Sequence, residues 1–245
     1  MFDPLGFEFR RGDGSYYRGL RIQAHPEVHV HVAKRLRELY PNGANVLDVA
    51  SGTGSLAQRL LDLGFVVHCT TWNNKLRVTA PTYHLNLDEP FGGADVGNIP
   101  FDVIVASEII EHVENPSLLL RSCASALAPD GILVVTTPNV GYVASRLQWL
   151  RRGYPNIFSR EEVVNNRHIS MIWLAGFEHL AETAGLRVDE TRYMGGQLSG
   201  LPLHRRLIYG LLVKILGPSS AGATCLFFLS KSGAGPKPHL ADTTY

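Results

Sequence analysis

The sequence has few cysteines and no excess of charge of either sign. Its 245 residues include only three cysteines, Cys69, Cys123 and Cys225, which stand far apart. This spacing matches neither a disulfide framework nor a metal-ligand cluster, so we expect buried thiols in a reducing compartment. The 23 basic residues are balanced by 22 acidic ones, and this balance argues against DNA or RNA as a partner.

No apolar run reaches the ~20 residues that a membrane-spanning helix needs. The nearest candidate, LIYGLLVKIL at 207–216, is ten residues long and carries Lys214. The first residues also lack the basic-then-apolar order of a signal peptide. We therefore expect a cytoplasmic protein, and the length suits one α/β domain.

Strand-like and helix-like segments alternate along most of the chain. Apolar runs predict strands at 45–50, 65–70, 83–87, 101–107, 131–137, 186–193 and 223–230. Helical periodicity predicts helices at 26–40, 56–63, 116–127, 142–152, 159–165 and 173–184. This alternation predicts an α/β fold in which helices cover both faces of a parallel sheet. In such sheets the ligand crevice opens at the carboxyl ends of the strands.

Three segments flank or interrupt this alternating core. We expect residues 1–41 to form an N-terminal arm and a helix that acts as a lid, ahead of a main domain at 42–230. The polar tail 231–245, which contains glycine and proline, is expected to be disordered. An insertion at about 195–221 carries an apolar stripe made of Leu203, Leu207, Leu211 and Ile215. The stripe either packs on the sheet as a lid or makes a peripheral membrane contact through 203–216.

The first strand leads into a glycine turn. In VLDVASGTGSL, Asp48 lies near the end of the strand, and Gly52 and Gly54 lie in the turn that opens the next helix. Glycines let the backbone approach a ligand closely, and the helix N-terminus offers free N–H groups. Glycine turns also join many strands to helices without binding anything, so the turn alone leaves a nucleotide-type ligand and a plain connection open.

The turn and two later blocks, FDVIVASEIIEHVENPSLLL and ALAPDGILVVTTPN, together resemble the class I S-adenosyl-L-methionine (SAM) methyltransferases. The resemblance covers roughly residues 42–192. It implies a Rossmann-like, mostly parallel sheet of seven strands with an antiparallel last strand, and SAM as the cofactor. It also implies that the turn Ala50–Gly54 passes under the methionine part of SAM. The positions that it assigns to cofactor binding are Asp48, Ala50, Gly52, Gly54, Thr71, Asn86, Leu87 and Ser107.

Three of these positions depart from the residues that the family usually has. Ala50 replaces the first glycine of the motif, which is tolerated if its φ stays below zero. Thr71 stands where an acid usually binds the ribose hydroxyls, and a neutral hydroxyl makes a hydrogen bond weaker by about 1 kcal/mol. Asn86 stands where an aspartate would meet the adenine amine, and it keeps a carbonyl acceptor. These departures keep open a catalytically silent protein on an intact fold.

Two glutamates and a histidine follow the fourth predicted strand as Glu108-Ile-Ile-Glu111-His112. If this turn is helical, the two carboxylates and the imidazole lie on one face, beside the glycine turn. Like charges so close repel unless a cation or a proton lies between them, and Glu with His suits a divalent metal. The alternative is a solvated turn in which Glu111 caps a helix and His112 packs.

The E-x-x-E-H pattern resembles the one in ubiquinone-pathway O-methyltransferases and in plant small-RNA 2′-O-methyltransferases. That resemblance implies that Glu108, Glu111, His112 and His168 bind a divalent metal such as Mg²⁺. A bound metal lowers the pKa of an acceptor hydroxyl and orients it. Without a metal, His112 would be the general base, with Glu108 and Glu111 beside it.

Basic and aromatic residues alternate after the fifth long strand, at Arg146, Trp149, Arg151, Arg152 and Tyr154. They fit an anionic or sugar acceptor, or else a solvated helix with one core tryptophan. Asn139, in T-T-P-N, either binds a ligand or closes a turn. We predict methyl transfer to a hydroxyl of a small molecule, a sugar or another hydroxylated metabolite. The alternatives are a quinone precursor, an RNA 2′-hydroxyl, and a binding or regulatory protein without activity; the oligomeric state is not predicted.

Overall fold

The computed structural model describes residues 3–10, 14–196 and 202–234. Its strands are, in chain order, β1 (Glu8–Arg10), β2 (Gly14–Tyr17), β3 (Leu20–Arg21), β4 (Asn45–Val49), β5 (Val66–Thr71), β6 (Thr82–His84), β7 (Phe101–Ser107), β8 (Leu127–Pro138), β9 (Leu186–Met194) and β10 (Thr224–Lys231). Its helices are α1 (Pro26–Leu39), α2 (Ser55–Asp62), α3 (Pro116–Ala126), α4 (Val143–Arg152), α5 (Arg160–Asn166), α6 (Leu174–Thr183) and α7 (Leu203–Leu216).

The main sheet has seven strands in the order β6-β5-β4-β7-β8-β10-β9. Strands β4 to β8 pair in parallel, and β10 lies antiparallel between β8 and β9. The predicted α/β fold, with a mostly parallel seven-stranded sheet and an antiparallel last strand, is confirmed. Chain order reverses between β4 and β7, so the carboxyl ends of these two neighbours form the crevice of the sheet.

Successive residues of the central strands alternate between two apolar layers. Val46 and Val103 pack with α1 and α2 on one face of the sheet. Leu47 and Ile104 pack with α3 and α6 on the other face. Since side chains alternate with a period of two along a strand, both faces of these strands are buried. The three cysteines are buried in these layers as free thiols, in agreement with the prediction.

The connection from β5 to β6, residues 72–81, is an irregular strap of turns and bends without a helix. Leu76, Val78 and Ala80 pack against the layer that contains α1 and α2. Parallel strands are usually joined by a crossover helix. Here every second residue of the strap supplies the apolar cover instead.

The N-terminal arm is anchored to α2 through Arg59, whose side chain is fully buried. The guanidinium donates to the carbonyls of Pro4 and Gly6, and its central carbon lies 4.0 Å from the centroid of the Tyr17 ring. Strands β1, β2 and β3 form a small sheet of their own in this arm. The arm is therefore packed onto the domain through a buried cation.

Some boundaries differ from the predicted ones. The strand predicted at 83–87 ends at His84, because Asn86 forms a turn beyond it. Lys231 belongs to β10, and residues 235–245 of the predicted tail lie outside the described residues, as do residues 197–201 of the predicted insertion. Within the part of the chain that the structure describes, every helix is too short or too polar to cross a bilayer.

Candidate active site

The glycine turn lies at the carboxyl end of β4, in the crevice of the sheet. The backbone N–H of Ala50 donates to Thr70 Oγ1 at 2.8 Å, and that of Ser51 donates to the Thr70 carbonyl at 3.0 Å. Gly52 and Gly54 have φ angles of 57° and 88°, in the left-handed region that favours glycine. The turn is thus tied to the neighbouring strand β5 and leads directly into α2.

Ala50 takes a left-handed φ of 56°. The condition under which alanine would be tolerated here, a φ below zero, is therefore not met. The hydrogen bond from its N–H to Thr70 fixes the backbone there, although a Cβ in this region costs roughly 1–2 kcal/mol. The turn accordingly contains a strained residue at the position where the family has its first glycine.

Replacing Ala50 with glycine is expected to raise the free energy of unfolding by about 0.5–1 kcal/mol, because relief of strain exceeds the added entropy of the unfolded chain. Chemical denaturation of both proteins measures the difference. Ala124→Gly within α3 is the matched control and should lower the same free energy by about 1 kcal/mol. Equal losses in the two variants would contradict strain at Ala50.

Asp48 is a buried carboxylate beside this turn, with only 2% of its surface exposed. The Ser51 hydroxyl donates to the backbone carbonyl of Asp48 at 2.8 Å, whereas the carboxylate Oδ2 of Asp48 has no hydrogen-bond partner. Burial raises the pKa of Asp48 to about 7, and the polar groups of Ser51 and Ala57 oppose this rise only in part. An unpaired buried carboxylate oxygen suits a cationic or N–H donor group of a ligand.

Two segments approach the glycines so closely that side chains are excluded there. A Cβ at Gly52 would lie 2.1 Å from Oε1 of Gln23, in the arm. A Cβ at Gly54 would lie 2.7 Å from a methyl group of Val78, in the strap. The turn is therefore covered by residues that the sequence did not single out.

Thr53, between the two glycines, joins the arm to the strap. Its hydroxyl donates to the carbonyl of Arg21 at 2.7 Å, and its carbonyl accepts from the N–H of Arg77 at 3.2 Å. Any ligand that enters along the turn must fit beneath this pair of segments or displace them.

Thr71 and Asn86 use their polar groups in local turns. The Thr71 hydroxyl donates to the carbonyl of Asn73 at 2.6 Å and accepts from the N–H of the same residue at 3.2 Å. Asn86 Nδ2 donates to Glu89 Oε1 at 2.9 Å, and Asn86 Oδ1 accepts from the N–H of Asp88 at 3.2 Å. A ligand that binds either side chain must replace one of these bonds.

The last two predicted cofactor positions lie at neighbouring points of the crevice. Leu87 is half-buried and packs against the layer of α3 and α6. Ser107 ends β7, and its hydroxyl oxygen lies 3.0 Å from Oγ1 of Thr136 on β8. Their assignment to cofactor binding stays a prediction.

The E-x-x-E-H segment forms only a 3₁₀ turn, Ile110–His112, after β7. Glu108 lies ahead of this turn with a φ of 50°, so the expected helical face shared by Glu108, Glu111 and His112 is wrong. The Glu108 carboxylate instead accepts from the Thr136 hydroxyl at 2.8 Å. A left-handed residue between strand and turn gives the segment a shape that regular helical spacing does not describe.

Glu111, His112 and His168 converge, with one candidate ligand atom from each lying within 4.8 Å of the others. His112 Nε2 lies 3.8 Å from Glu111 Oε1, and the centroids of the two imidazoles are 4.9 Å apart. Glu111 Oε1 is buried without a hydrogen-bond partner. Three of the four predicted metal ligands thus form one cluster among the described residues, and Glu108 is not part of it.

The cluster is assembled by hydrogen bonds between distant segments. The N–H groups of Ile169 and Ser170 both donate to the Glu111 carbonyl at 3.0 Å, which brings the following loop to the 3₁₀ turn. His168 Nδ1 lies 2.8 Å from the carbonyl of Ile157. With its proton on Nδ1, this ring leaves Nε2 as an acceptor or a metal ligand.

The surroundings of the cluster disfavour the ionised form of the two glutamates and the protonated form of His112. Burial raises the pKa of Glu108 to about 7. Burial, and then the nearby charge of Glu108, raise the pKa of Glu111 well above its usual range. The pKa of His112 is lowered, first by burial and then by His168. A bound cation would reverse these directions for the carboxylates, because an opposite charge favours the ionised form.

Thr136 and Thr137, at the end of β8, are functional candidates that the sequence analysis missed. Thr137 donates to Glu111 Oε2 at 3.0 Å, whereas Thr136 donates to Glu108. Each of the two glutamates therefore has its own hydroxyl donor at the end of β8. Their signal in the sequence is a pair of hydroxyl residues at the carboxyl end of a buried strand.

The residues predicted to bind the acceptor differ in their contacts: one is bonded to other parts of the protein, and others are exposed. Asn139 Nδ2 donates to the carbonyls of Ser219 and Gly222, both at 2.7 Å, which favours the turn over the ligand. Trp149 is 45% exposed, so the interpretation as a core tryptophan is wrong. Arg151 and Arg152 are exposed and available to a partner.

Comparison with known proteins gives a family match over most of the chain. A family described as a methyltransferase domain matches residues 24–191. The ubiquinone biosynthesis O-methyltransferase of Caulobacter sp. is 34% identical over 105 residues, which are 40% of this chain and 42% of that protein. The enzyme of the same description from Bradyrhizobium diazoefficiens is 30% identical over 128 residues, 45% of this chain and 50% of that protein. The chain thus spans about half the length of these curated relatives.

Solved structures agree in fold over most of the chain. A SAM-dependent methyltransferase from Archaeoglobus fulgidus matches with a TM-score of 0.57 and 16% identity, over 83% of this chain and 94% of that one. The magnesium protoporphyrin IX methyltransferase of Synechocystis PCC 6803, solved with bound SAH, matches with a TM-score of 0.57 and 13% identity. The match covers 84% of this chain and 83% of that one. The chain therefore belongs to the methyltransferase-domain family, and its fold is that of the SAM-dependent methyltransferases.

Proposed function

We propose that the chain is an O-methyltransferase that transfers the methyl group of SAM to a hydroxyl of a small molecule, such as a sugar. The observation that carries this proposal is the cluster of Glu111, His112 and His168 at the same sheet edge as the glycine turn. The strands β4 and β7 that lead to these two features are direct neighbours. A methyl donor at one strand end and an acceptor at the other would therefore lie side by side.

The residues of the glycine turn fit SAM. When bound, SAM supplies an electrophilic methyl group on a sulfonium centre. The unpaired Oδ2 of Asp48 would accept from its ammonium group, and the left-handed glycines Gly52 and Gly54 allow close approach of the backbone. The exposed side chain of Gln23 is the part of the cover that can move most easily to admit the ligand.

His112 is the residue that would take the proton of the acceptor hydroxyl. Its pKa is lowered below the usual 6.5, so the imidazole is neutral near pH 7 and can accept a proton. The backbone groups of Asn166 and Arg167 act in the opposite direction on this pKa, but the effect of burial is larger. When it is ionised, Glu111, 3.8 Å away, would stabilise the imidazolium that forms, and that positive charge in turn favours the ionised form of Glu111.

The same cluster fits a divalent metal, which would be held by Glu111, His112 and His168. The buried, unpaired Oε1 of Glu111 and two imidazole nitrogens supply the ligand atoms. A metal bound there lowers the pKa of an acceptor hydroxyl. Two nitrogen donors and one oxygen donor suit a transition metal such as Mn²⁺ or Fe²⁺ better than Mg²⁺, which prefers oxygen.

A phenolic acceptor of the quinone-precursor type is the second candidate. The curated relatives over the shared segment are named ubiquinone biosynthesis O-methyltransferases. Methyl transfer from labelled SAM to catechols, to sugars and to RNA would distinguish the hydroxyl acceptors. Transfer to none of them, together with tight SAM binding, would favour the catalytically silent alternative.

Titration calorimetry with SAM tests the cofactor site, with Gly54→Ala as the variant. We expect the parent chain to bind SAM and the variant to lose binding, because the added Cβ meets Val78 at 2.7 Å. Gly64→Ala is a matched control at the other end of α2. Its φ of 89° equals that of Gly54 within a degree, yet nothing lies within 4 Å of its Cβ.

Both variants therefore carry the same backbone strain, and only Gly54→Ala obstructs the turn. Equal losses of SAM affinity in the two variants would show that backbone strain, and not the contact with Val78, lowers the affinity. A parent chain that binds no SAM at millimolar concentration would overturn the proposed function.

A further inference from the structure

Helices α4 and α7 present a cluster of exposed apolar side chains, which we call the α4/α7 surface. On α7 its members are 56–70% exposed, namely Leu203, Leu207, Ile208, Leu211 and Ile215. On α4 its members are 45–85% exposed, namely Leu147, Trp149 and Leu150. Apolar residues that are exposed one by one are common, but a cluster on two adjoining helices marks an interaction surface.

The geometry of α7 makes this helix apolar on two opposite faces. At 100° per residue, the stripe from Leu203 to Ile215 covers one face. Tyr209, Leu212 and Val213 are half-buried on the other face, and Tyr209 donates to the carbonyl of Ala221. Of the two alternatives for the stripe, the one in which it packs on the sheet as a lid is wrong, because its side chains are exposed.

Arg146 on α4 holds the surface in place. Its guanidinium donates to the carbonyl of Gly141 at 2.6 Å, to that of Leu216 at 3.2 Å and to the Ser219 hydroxyl at 3.0 Å. These bonds fix the carboxyl end of α7 against α4. The apolar side chains are thus displayed by a structured element and not by a free end of the chain.

All charged residues of α4 and α7 are basic. No acidic residue occurs between positions 131 and 160 or between 191 and 241, although the whole chain carries 22 of them. Arg151, Arg152, Arg206 and Lys214 are exposed on the same two helices. These two helices are therefore basic, although the net charge of the whole chain is only +1.

We propose that the α4/α7 surface docks on an anionic lipid bilayer. Exposed leucines and isoleucines would enter the interface between headgroups and acyl chains, and the flanking cations would meet lipid phosphates. A second copy of the chain fits less well, since a symmetric contact of this surface with itself would bring Arg151 and Arg152 against their own copies. The proposal does not depend on methyl transfer.

Vesicle sedimentation of the full chain tests the proposal. At about 0.1 M salt, we expect binding to phosphatidylcholine vesicles with about a quarter phosphatidylglycerol to exceed binding to phosphatidylcholine alone by at least about tenfold. Two variants, Leu207→Gln/Leu211→Gln and Arg151→Gln/Arg152→Gln, should each weaken binding to the anionic vesicles by about tenfold or more.

The matched control is Phe9→Gln/Val66→Gln, which removes apolar side chains that are 69% and 55% exposed elsewhere on the molecule. It should bind anionic vesicles like the parent chain, and all variants should keep the parent's circular dichroism and melting behaviour. The proposal is overturned if the control loses as much binding as the other variants, or if the parent chain binds no anionic vesicle. A dimer in sedimentation velocity that Leu207→Gln/Leu211→Gln dissociates, without vesicle binding, would assign the surface to a second copy and also overturn it.

Discussion

Replacing His112 with glutamine is expected to lower kcat for methyl transfer by about 10²–10⁴-fold, the usual contribution of a positioned general base. The imidazole is neutral near pH 7 because burial lowers its pKa, and an amide cannot take its role. SAM affinity should change little, because the glycine turn lies on β4 and His112 follows β7. Steady-state kinetics with the acceptor found by screening, together with SAM titration, measure both effects. His179→Gln, an exposed histidine on α6, is the control and should keep full activity.

Metal titration of the same variants separates a metal-assisted site from a metal-free one. If the cluster binds Mn²⁺, both His112→Gln and Glu111→Gln should lower its affinity by at least about tenfold. Glu108→Gln should leave the affinity nearly unchanged, because Glu108 bonds to Thr136 outside the cluster. An equal loss in Glu108→Gln would restore the four-ligand set implied by the sequence. No metal binding by the parent chain would leave His112 as the sole base.

Replacing Asp48 with asparagine is expected to stabilise the protein at pH 8 by roughly 2–4 kcal/mol, because the variant has no carboxylate that must be ionised while buried. The pKa of Asp48 rises from 3.8 to about 7 on folding because the carboxyl is buried. Between about pH 4 and pH 7 the native state therefore binds a proton that the unfolded state has lost. The stability of the parent chain falls as pH rises through this window and levels off above it.

Glu108 and Glu111 contribute with the same sign, since burial raises both of their pKa values. The difference in free energy of unfolding between the parent chain and Asp48→Asn, measured at each pH, gives the contribution of Asp48 alone. Denaturant unfolding from pH 4 to 8 should show the two stabilities converging at acid pH. Asp130→Asn, at an exposed carboxyl, should follow the parent chain at every pH. A variant that is less stable than the parent at pH 8 would contradict the buried, unpaired state of Asp48.

The central strands could be predicted because a strand that is buried on both faces needs apolar residues along its whole length. NVLDV and FDVIVAS are near-continuous apolar runs, as expected of parallel strands with both faces covered. The alternation with helices then predicts the sheet, and chain reversal at its centre predicts the crevice. The convergence of Glu111, His112 and His168 followed from a family resemblance, since residue spacing alone does not bring a distant histidine to a turn.

The features that were missed depend on contacts between distant segments. The φ of Ala50 is set by a hydrogen bond to Thr70, and the place of Glu108 by a hydrogen bond to Thr136. Neither partner can be read from the residues beside it. In the same way, periodicity showed the apolar stripe of α7. It did not show whether the stripe is buried against the sheet or exposed, because the pattern is the same in both cases.

The buried Arg59 makes the N-terminal arm part of the cooperative folding unit. The carbonyls of Pro4 and Gly6 solvate a cation that the core encloses completely. Cutting the chain ahead of β1 would strand that charge in an apolar layer, at a cost of several kcal/mol. A domain of this size has a free energy of unfolding of only about 5–15 kcal/mol. Removing the few residues that bind Arg59 would therefore lower the stability of the whole domain and not of the arm alone. We therefore expect the arm and the sheet to melt in one transition, with no folding boundary near residue 41.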